Sequence, residues 1–342
     1  MKKFFELLND ELISGNDVTM VSITASSGST PRGAGARMIV GEKGRIYGTI
    51  GGGAVEYLCQ HKAQDVLETK KSYNESYILR QNEIRDLGMI CGGDVECFFQ
   101  YISNEDDNVK ELVRKVLDSF ENNEDIWLVI DTTEGAKSSM GVLNKSGLKF
   151  GMEIPDEIIA NLDGKLRKYV INERTYFVEQ INQNAKVYVF GGGHVAQQLV
   201  PTLHRIGFNC IVVEDREDFA KKELFEGVLA TRLVDMENLS ELCNEITEND
   251  YICIMTRGHK DDYVVQRQVL KTPARYIGVI GSKRKTAGVM EKLRNDGYTE
   301  KDLARITAPI GIPMEAETPA EIAISIAGQL INERAKDKYE NY

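Results

Sequence analysis

One stretch constrains this 342-residue chain more than any other: VYVFGGGHVAQQL at 187–199. An apolar strand runs into Gly191, Gly192 and Gly193 and then into helix-forming sequence, a fit to GxGxxA with Ala196 in the last place. In that pattern the first glycine permits a tight turn, Gly193 lets the backbone approach a pyrophosphate, and a small third residue allows close helix–strand packing. The helix N-terminus that follows, opening at His194, offers free N–H groups and the positive end of a dipole to an anion. About 20 residues on, a second apolar strand, NCIVVE, ends in Glu214 and Asp215, either of which can accept hydrogen bonds from a ribose diol. Pro201 removes one backbone bond from the intervening helix and predicts a kink.

The same theme continues to the C-terminus. KVYVF, NCIVVE, GVLAT, DYICIMT and ARYIGVI alternate with helical stretches, which implies right-handed crossovers and a parallel sheet. Strands without two-residue alternation suit a sheet covered on both faces. Ligands of such sheets bind at the C-terminal edge, and two more strand ends deliver polar residues there. MTRGHKDD (255–262) offers Arg257, His259 and Asp262, the last two readable as a proton-transfer pair, as metal holders or as an ordinary helix start. GSKRK (281–285) opens a helix with Ser282, Lys283 and Arg284. Cations in a first turn oppose the helix dipole unless an anion compensates, so these read as a phosphate site or as a solvated basic patch. The last helix starts with a capping box, Thr318 to Glu321 with Pro319 at its first position, and continues with Ile322, Ile326 and Leu330 inward.

Residues 1–103 are organised around glycines. MKKFFELLNDELIS reads as an amphipathic helix with Phe4, Leu7, Leu8, Leu12 and Ile13 at helical spacing; Glu6, Asp10 and Glu11 interrupt any signal-peptide core. The loop GSTPRGAGAR (28–37) sets Arg32 and Arg37 among glycines, a pattern suited to phosphate or carboxylate. A hairpin is expected at Gly41, Glu42, Lys43 and Gly44. TIGGGAVE (49–56) turns a strand through Gly52 and Gly53 into a helix over 53–69, with Val55, Leu58, Cys59, Val66 and Leu67 on its apolar side; it lacks the ending of a P-loop. LGMICGGDVE (87–96) places Cys91 beside two glycines, where spacing alone makes it a loop cysteine without an adjoining cation to lower its pKa. Residues 104–185 carry few motifs and read as a variable α/β connecting region, with a helix over 107–121 and strands over 126–133 and 174–181. The polar INQNAK (181–186) sets the boundary, giving three parts: 1–103, 104–185 and 186–342. No tandem repeat is visible.

Composition removes several classes of function. With 42 Lys and Arg against 53 Asp and Glu, the net charge of −11 argues against a nucleic-acid partner. No apolar run reaches the roughly 18 residues of a membrane-spanning helix. Six cysteines without CxxC spacing make a structural zinc site unexpected, no metal ligands are assigned, and a reducing cytoplasm is the expected compartment. Cys210 and Cys253 lie in apolar runs and are expected to be buried.

Taken in order, SSGSTPRGAGARMIV, GTIGGGAVE and LGMICGGDVE resemble the N-terminal domain of the XdhC/CoxI family, the xanthine dehydrogenase accessory factors. VFGGGHVA, VVEDRE, MTRGHKDD, ARYIGVIGSKRK and GIPMEAETPAEIAISIAGQLI resemble that family's C-terminal domain, over about 1–103 and 186–335. The resemblance implies an α/β chain: a C-terminal Rossmann-like parallel-sheet domain after an N-terminal α+β domain. It implies a cytoplasmic homodimer that binds molybdenum cofactor (molybdopterin), acts as its chaperone and passes it to an apo molybdenum hydroxylase, with a cysteine desulfurase as a further partner. Carried over by position, Cys91 matches the CGG cysteine, Gly191, Gly193 and His194 the GxGH loop, Asp215 and Arg216 the acidic strand end, and His259 and Asp262 the HxxD-like segment. Ala54 stands where many members have cysteine, which leaves Cys91 as the family-matched thiol. Two other readings stay open on the residues: an NAD(P)-dependent oxidoreductase with His259 as acid/base, and a nucleotide-sensing module without chemistry.

Overall fold

The computed structural model describes residues 1–339 apart from 29, 31, 79–92, 123, 134–138 and 183–184. The chain divides into two compact units, Met1–Gln183 and Asn184–Asp337. The first contains α1 (Lys2–Ile13), β1 (Val18–Ser27), β2 (Arg37–Gly41), β3 (Gly44–Gly48), α2 (Gly53–Thr69), β4 (Tyr73–Ile78), β5 (Asp94–Ile102), α3 (Asp107–Glu121), β6 (Ile126–Asp131), β7 (Met140–Leu143), β8 (Lys149–Gly151), α4 (Asp156–Ala160), β9 (Arg167–Ile171) and β10 (Arg174–Asn182).

These strands form two antiparallel sheets whose orders are β3-β2-β1-β5-β4 and β8-β7-β6-β10-β9. Both orders describe one topology. Residues 1–102 run α-β-β-β-α-β-β, residues 107–182 run the same way, and each strand pairs with the corresponding neighbours. The correspondence reaches single residues. The last residue of the third strand is glycine in both halves, Gly48 at φ +82° and Gly151 at φ +92°. A Cβ on either would collide with a carbonyl oxygen of the second strand, that of Arg37 or of Met140. The following residue then bonds that same carbonyl: Thr49 N–H to Arg37 at 2.9 Å and Met152 N–H to Met140 at 2.8 Å.

Period-two alternation sorts the strands between three apolar layers. Val18 and Met20 of β1 join Ile126, Leu128 and Ile130 of β6, together with Phe4, Phe5 and Leu8 of α1 and Leu112, Val113 and Val116 of α3. Val21 and Ile23 turn the other way, onto Val55, Cys59, Ala63 and Val66 of α2. Trp127 and Val129 meet Ile158 of α4. The expected connecting region thus shares its core with residues 1–103. Two helix faces differ from expectation. Phe5 is buried in place of Ile13, which is 65% exposed, and Leu58 is exposed, because α2 meets its sheet through the 55/59/63/66 stripe.

Arg37 needs a correction. The glycine-rich loop ends before it, and Arg37 opens β2 as a buried residue. Its guanidinium pairs with Glu179 of β10 at 2.6 Å, the two side chains 1% and 11% exposed, and its Nε donates to Ser22 at 3.2 Å. It ties the two halves together and presents no charge to a ligand.

The second unit contains β11 (Lys186–Phe190), α5 (His194–Arg205), β12 (Asn209–Glu214), β13 (Ala230–Leu233), α6 (Ser240–Glu245), β14 (Tyr251–Ile254), α7 (His259–Val269), β15 (Tyr276–Val279), α8 (Lys283–Asn295), α9 (Glu300–Leu303), β16 (Ile306–Thr307) and α10 (Pro319–Tyr339). Its sheet is parallel, in the order β13-β12-β11-β14-β15-β16. One face packs on α5 and α10, through Leu199, Leu203, Ile326 and Leu330; the other packs on α6, α7 and α8, through Leu242, Val265, Val269 and Leu293. Cys210 and Cys253 are fully buried, and burial pushes the Cys210 thiol up to about 12. α5 runs on through Pro201. The capping box of α10 forms as expected: Glu321 accepts the Thr318 N–H at 2.8 Å, and Thr318 Oγ1 accepts the Glu321 N–H at 3.3 Å. Strand order reverses between β11 and β14, so the C-terminal ends of those two strands flank the crevice in which open sheets of this topology bind ligands.

Candidate functional site

Three glycines follow β11, and they do three different jobs. Gly191 sits at φ +105°, donates to the Val213 carbonyl at 2.8 Å, and carries no room for a Cβ because the Met255 carbonyl lies against it. Gly192 donates to Glu214 Oε2 at 2.8 Å and is pressed on the Phe219 carbonyl. The sequence pattern assigns no role to Gly192, since a contact with residue 219 is not local. Gly193 has neither constraint. Its φ of −72° suits any residue, and a Cβ there would meet no heavy atom within 4 Å. The open space over the loop therefore begins at Gly193, at the first turn of α5.

Two neighbouring strands end in the same way. β14 passes through Met255, Thr256 and Arg257 to Gly258, whose Cβ would also meet nothing, and then into α7. β15 passes through Gly281 to Ser282 and α8. None of the three helices has a side-chain cap at Gly193, Gly258 or Ser282. Their first N–H groups point out of the sheet edge with the positive ends of three dipoles, a setting that favours an anion. His194, Arg257 and Ser282 are exposed there. His259, Lys283 and Arg284 stand in the first turns of α7 and α8, and their side chains lie outside the described residues.

Two acidic residues expected to act on a ligand brace the loops. Glu214 is 1% exposed and uses both oxygens. Oε1 accepts the N–H groups of Asp215 and Arg216 at 3.0 and 3.1 Å and Arg216 Nε at 2.9 Å; Oε2 accepts the Gly192 N–H at 2.8 Å and Arg216 Nη2 at 2.8 Å. Burial by itself raises a carboxyl, but these donors outweigh it and hold Glu214 at about 2. Asp215 is exposed, and the neighbouring Glu214 pushes its carboxyl up. Asp262 is buried and accepts Thr256 Oγ1 at 2.5 Å and the Thr256 N–H at 3.2 Å, fixing the segment on which Gly191 rests.

The first unit has a second candidate edge. β1 and β4 end, and β2 and β5 begin, at one end of their sheet, as the pairs Ser22 with Arg37, Ser27 with Asp94 and Ile78 with Asp94 require. β3 ends there too, since Gly48 pairs with Met38. The loops carrying Arg32, Gly52 and Gly53, and Gly93 therefore emerge side by side. Arg32 is exposed. Cys91 lies outside the described residues. Gly51, Gly52 and Gly53 take φ of +133°, +74° and +63° in succession. Glu56 holds that turn, accepting the N–H groups of Ile50 and Gly52 at 3.1 Å each and the Thr49 hydroxyl, and pairing with Arg45. Burial opposes ionisation of Glu56, yet these donors lower its pKa. An acid in the first turn of a helix after a glycine run is the sequence signal for such a brace.

Comparison with known proteins places both edges in one family. A family model described as the XdhC Rossmann domain matches residues 187–330, and one described as the XdhC and CoxI family matches residues 12–77. The chain belongs to the XdhC and CoxI family. It is 24% identical over 98% of its length, and 99% of the relative's, to a Bacillus subtilis protein named as a probable subunit of xanthine dehydrogenase. It is 19% identical, over 95% of its length and 86% of the relative's, to the Escherichia coli molybdenum cofactor insertion chaperone PaoD. To the E. coli protein YqeB it is 22% identical over 91% of its length, spanning 42% of that longer protein. A crystal structure described as a xanthine dehydrogenase from Bacillus halodurans shares the fold, with a TM-score of 0.75 at 23% identity over 99% of this chain and 97% of that one. Among the described residues no helix is long and apolar enough to cross a membrane, and no three His, Cys, Asp or Glu side chains group as metal ligands.

Proposed function

We propose that this chain is a maturation factor that binds molybdenum cofactor as cargo and delivers it to an apo molybdenum hydroxylase. The observation that carries the reading is the open space over Gly193, where glycine is demanded neither by backbone conformation nor by a neighbouring atom. A glycine in that position is explained by a ligand lying where a side chain would otherwise project. The surroundings fit the phosphate of a pterin cofactor: three uncapped helix N-termini on adjacent strands, with Lys283 and Arg284 placed in the first turn of α8. An anion at a helix N-terminus gains about 0.3–1 kcal/mol, and up to about 2 kcal/mol when partly buried. The relative named as a molybdenum cofactor insertion chaperone supports the choice of cargo.

In this reading Gly193, His194 and Ser282 bind through backbone and side-chain donors, and Lys283, Arg284 and Arg257 balance the phosphate charge. Glu214 and Asp262 keep the loops in shape. Arg32, Gly52 and Gly53 belong to the candidate edge of the first unit, and the family-matched Cys91 is the proposed thiol for the cargo. His259, the first residue of α7, is the proposed proton-transfer group of this reading.

The test is purification from a molybdenum-replete host followed by oxidation of bound pterin to its fluorescent form. The wild-type protein is expected to carry pterin, and Gly193→Val to lose it with an unchanged melting temperature. Wild-type protein without pterin, or Gly193→Val that retains it, overturns the proposal.

A further inference from the structure

The strand registers match the two halves of the first unit residue by residue. Gly48 pairs with Met38, Met38 with Val21 and Val21 with Phe99; Gly151 pairs with Gly141, Gly141 with Val129 and Val129 with Val178. One residue along, Arg37 of β2 corresponds to Met140 of β7, and Glu179 of β10 corresponds to Gln100 of β5. The two halves therefore meet at two matching junctions. At one, Arg37 and Glu179 form the buried ion pair. At the other, Met140 and Gln100 line a cavity of about 1010 Å³. Gln100 stands in β5 between Phe98 and Ile102, both of which belong to the apolar layer that the halves share. It is 3% exposed, and its Oε1 accepts no hydrogen bond. A buried amide oxygen left in this state calls for a donor from outside the chain.

The rest of the lining sets the kind of ligand. Ile102, Leu112 and Met152 supply apolar surface, and the exposed Lys70 and Lys71 contribute charge from the link between α2 and β4. Lys70 is drawn to Asp17 at 3.7 Å, which leaves Lys71 for an anion. Asp106 lines the cavity too, but its carboxylate accepts the N–H groups of Asn108 and Val109 and caps α3. This is the end of the sheet where β5 finishes and β4 starts, opposite the glycine loops. The volume is that of a small-molecule site. We propose that the cavity binds a planar lactam with an anionic tail. The ring N–H donates to Gln100 Oε1, the adjacent ring carbonyl accepts from Gln100 Nε2, and the tail meets Lys71. An amide is donor and acceptor at once and complements a lactam edge, whereas the carboxylate at the matching position, Glu179, complements a guanidinium. Guanine nucleotides and pterins both present such an edge.

Isothermal titration of the full chain with GMP and with pterin-6-carboxylate tests the site and separates the two sources. One of these probes is expected to bind saturably. Its counterpart methylated on the lactam nitrogen is expected to bind at least tenfold more weakly. Gln100→Leu removes the orphaned oxygen, so it is expected to keep or raise the melting temperature while weakening the bound probe at least tenfold. Lys71→Ala, an exposed change, is expected to weaken it at least threefold. Gly193→Val is expected to leave all of these values alone, so this site and the proposed function fail separately. Saturable binding of neither probe, indifference to the methyl group, or Gln100→Leu with unchanged affinity overturns the proposal. Should Gln100→Leu fail to fold, the methylated probe on the wild-type chain decides.

Discussion

The two halves of the first unit share a topology and differ in what joins the strands. In the first half, β1 leads to β2 through the GSTPRGAGAR loop, β3 leads to α2 through three glycines in left-handed or extended positive-φ conformations, and β4 leads to β5 through residues 79–93. In the second half α4 spans only Asp156–Ala160, and β9 meets β10 through the two residues Asn172 and Glu173, both at positive φ. A fold that closes its sheet with a two-residue turn does not need the longer loop to stand. In the reading proposed above, the run of glycines after β3 and the long connection between β4 and β5 serve the cargo, and the short α4 and the two-residue turn of the second half show that the topology stands without those two features. The family model that matches this unit covers residues 12–77, within the first half.

The comparison can be broken most severely at the link between the halves. Arg37→Ala leaves Glu179 as an unpaired buried carboxylate and is expected to cost about 3–5 kcal/mol by urea denaturation, whereas the double change Arg37→Met with Glu179→Leu restores most of it. A small effect of the single change would mean that the halves are held by their shared apolar layer alone. Next come Gly48→Ala and Gly151→Ala. Each puts a Cβ onto a carbonyl at positive φ, so both are expected to lose about 2–4 kcal/mol, and to lose similar amounts. Costs that differ by several-fold would show that the correspondence stops at topology.

Gly52→Ala sharpens the functional half of the contrast. Its φ of +74° and ψ of −173° lie in a region essentially restricted to glycine, although nothing crowds a Cβ there. Local strain of about 1–3 kcal/mol is expected to reshape the turn, and bound pterin measured by fluorescence should fall while the melting temperature drops by about 2–12 °C. Retention of the cargo would separate this loop from binding. The smallest effect lies in the second half. Glu173→Gly supplies the Asn-Gly turn that two positive φ values favour, and stability is expected to rise by roughly 0.5 kcal/mol with cargo binding untouched.

Legibility in the sequence follows the range of the interactions. The α10 capping box and the Gly41 to Gly44 hairpin rest on contacts within a few residues, and each forms where the residues point to it. Arg37 reads as a ligand-binding cation because its neighbours are glycines; its partner Glu179 lies far along the chain. Glu214 reads as a ribose acceptor because it ends a strand, but the loop that folds back over it supplies donors to both its oxygens. The repeated topology leaves almost no trace in the sequence, since pairing order depends on which apolar faces meet and many sequences satisfy the same alternation.

Apolar runs and caps act locally, so the residues alone suffice to specify the parallel sheet of the second unit and the edge at which helices begin. Which charged groups remain open to a ligand is settled later, by packing between distant segments. A carboxylate or guanidinium brought into the interior must find a partner there, and that partner comes from wherever the fold places one: Glu179 for Arg37, Arg216 and the Gly192 amide for Glu214, Thr256 for Asp262.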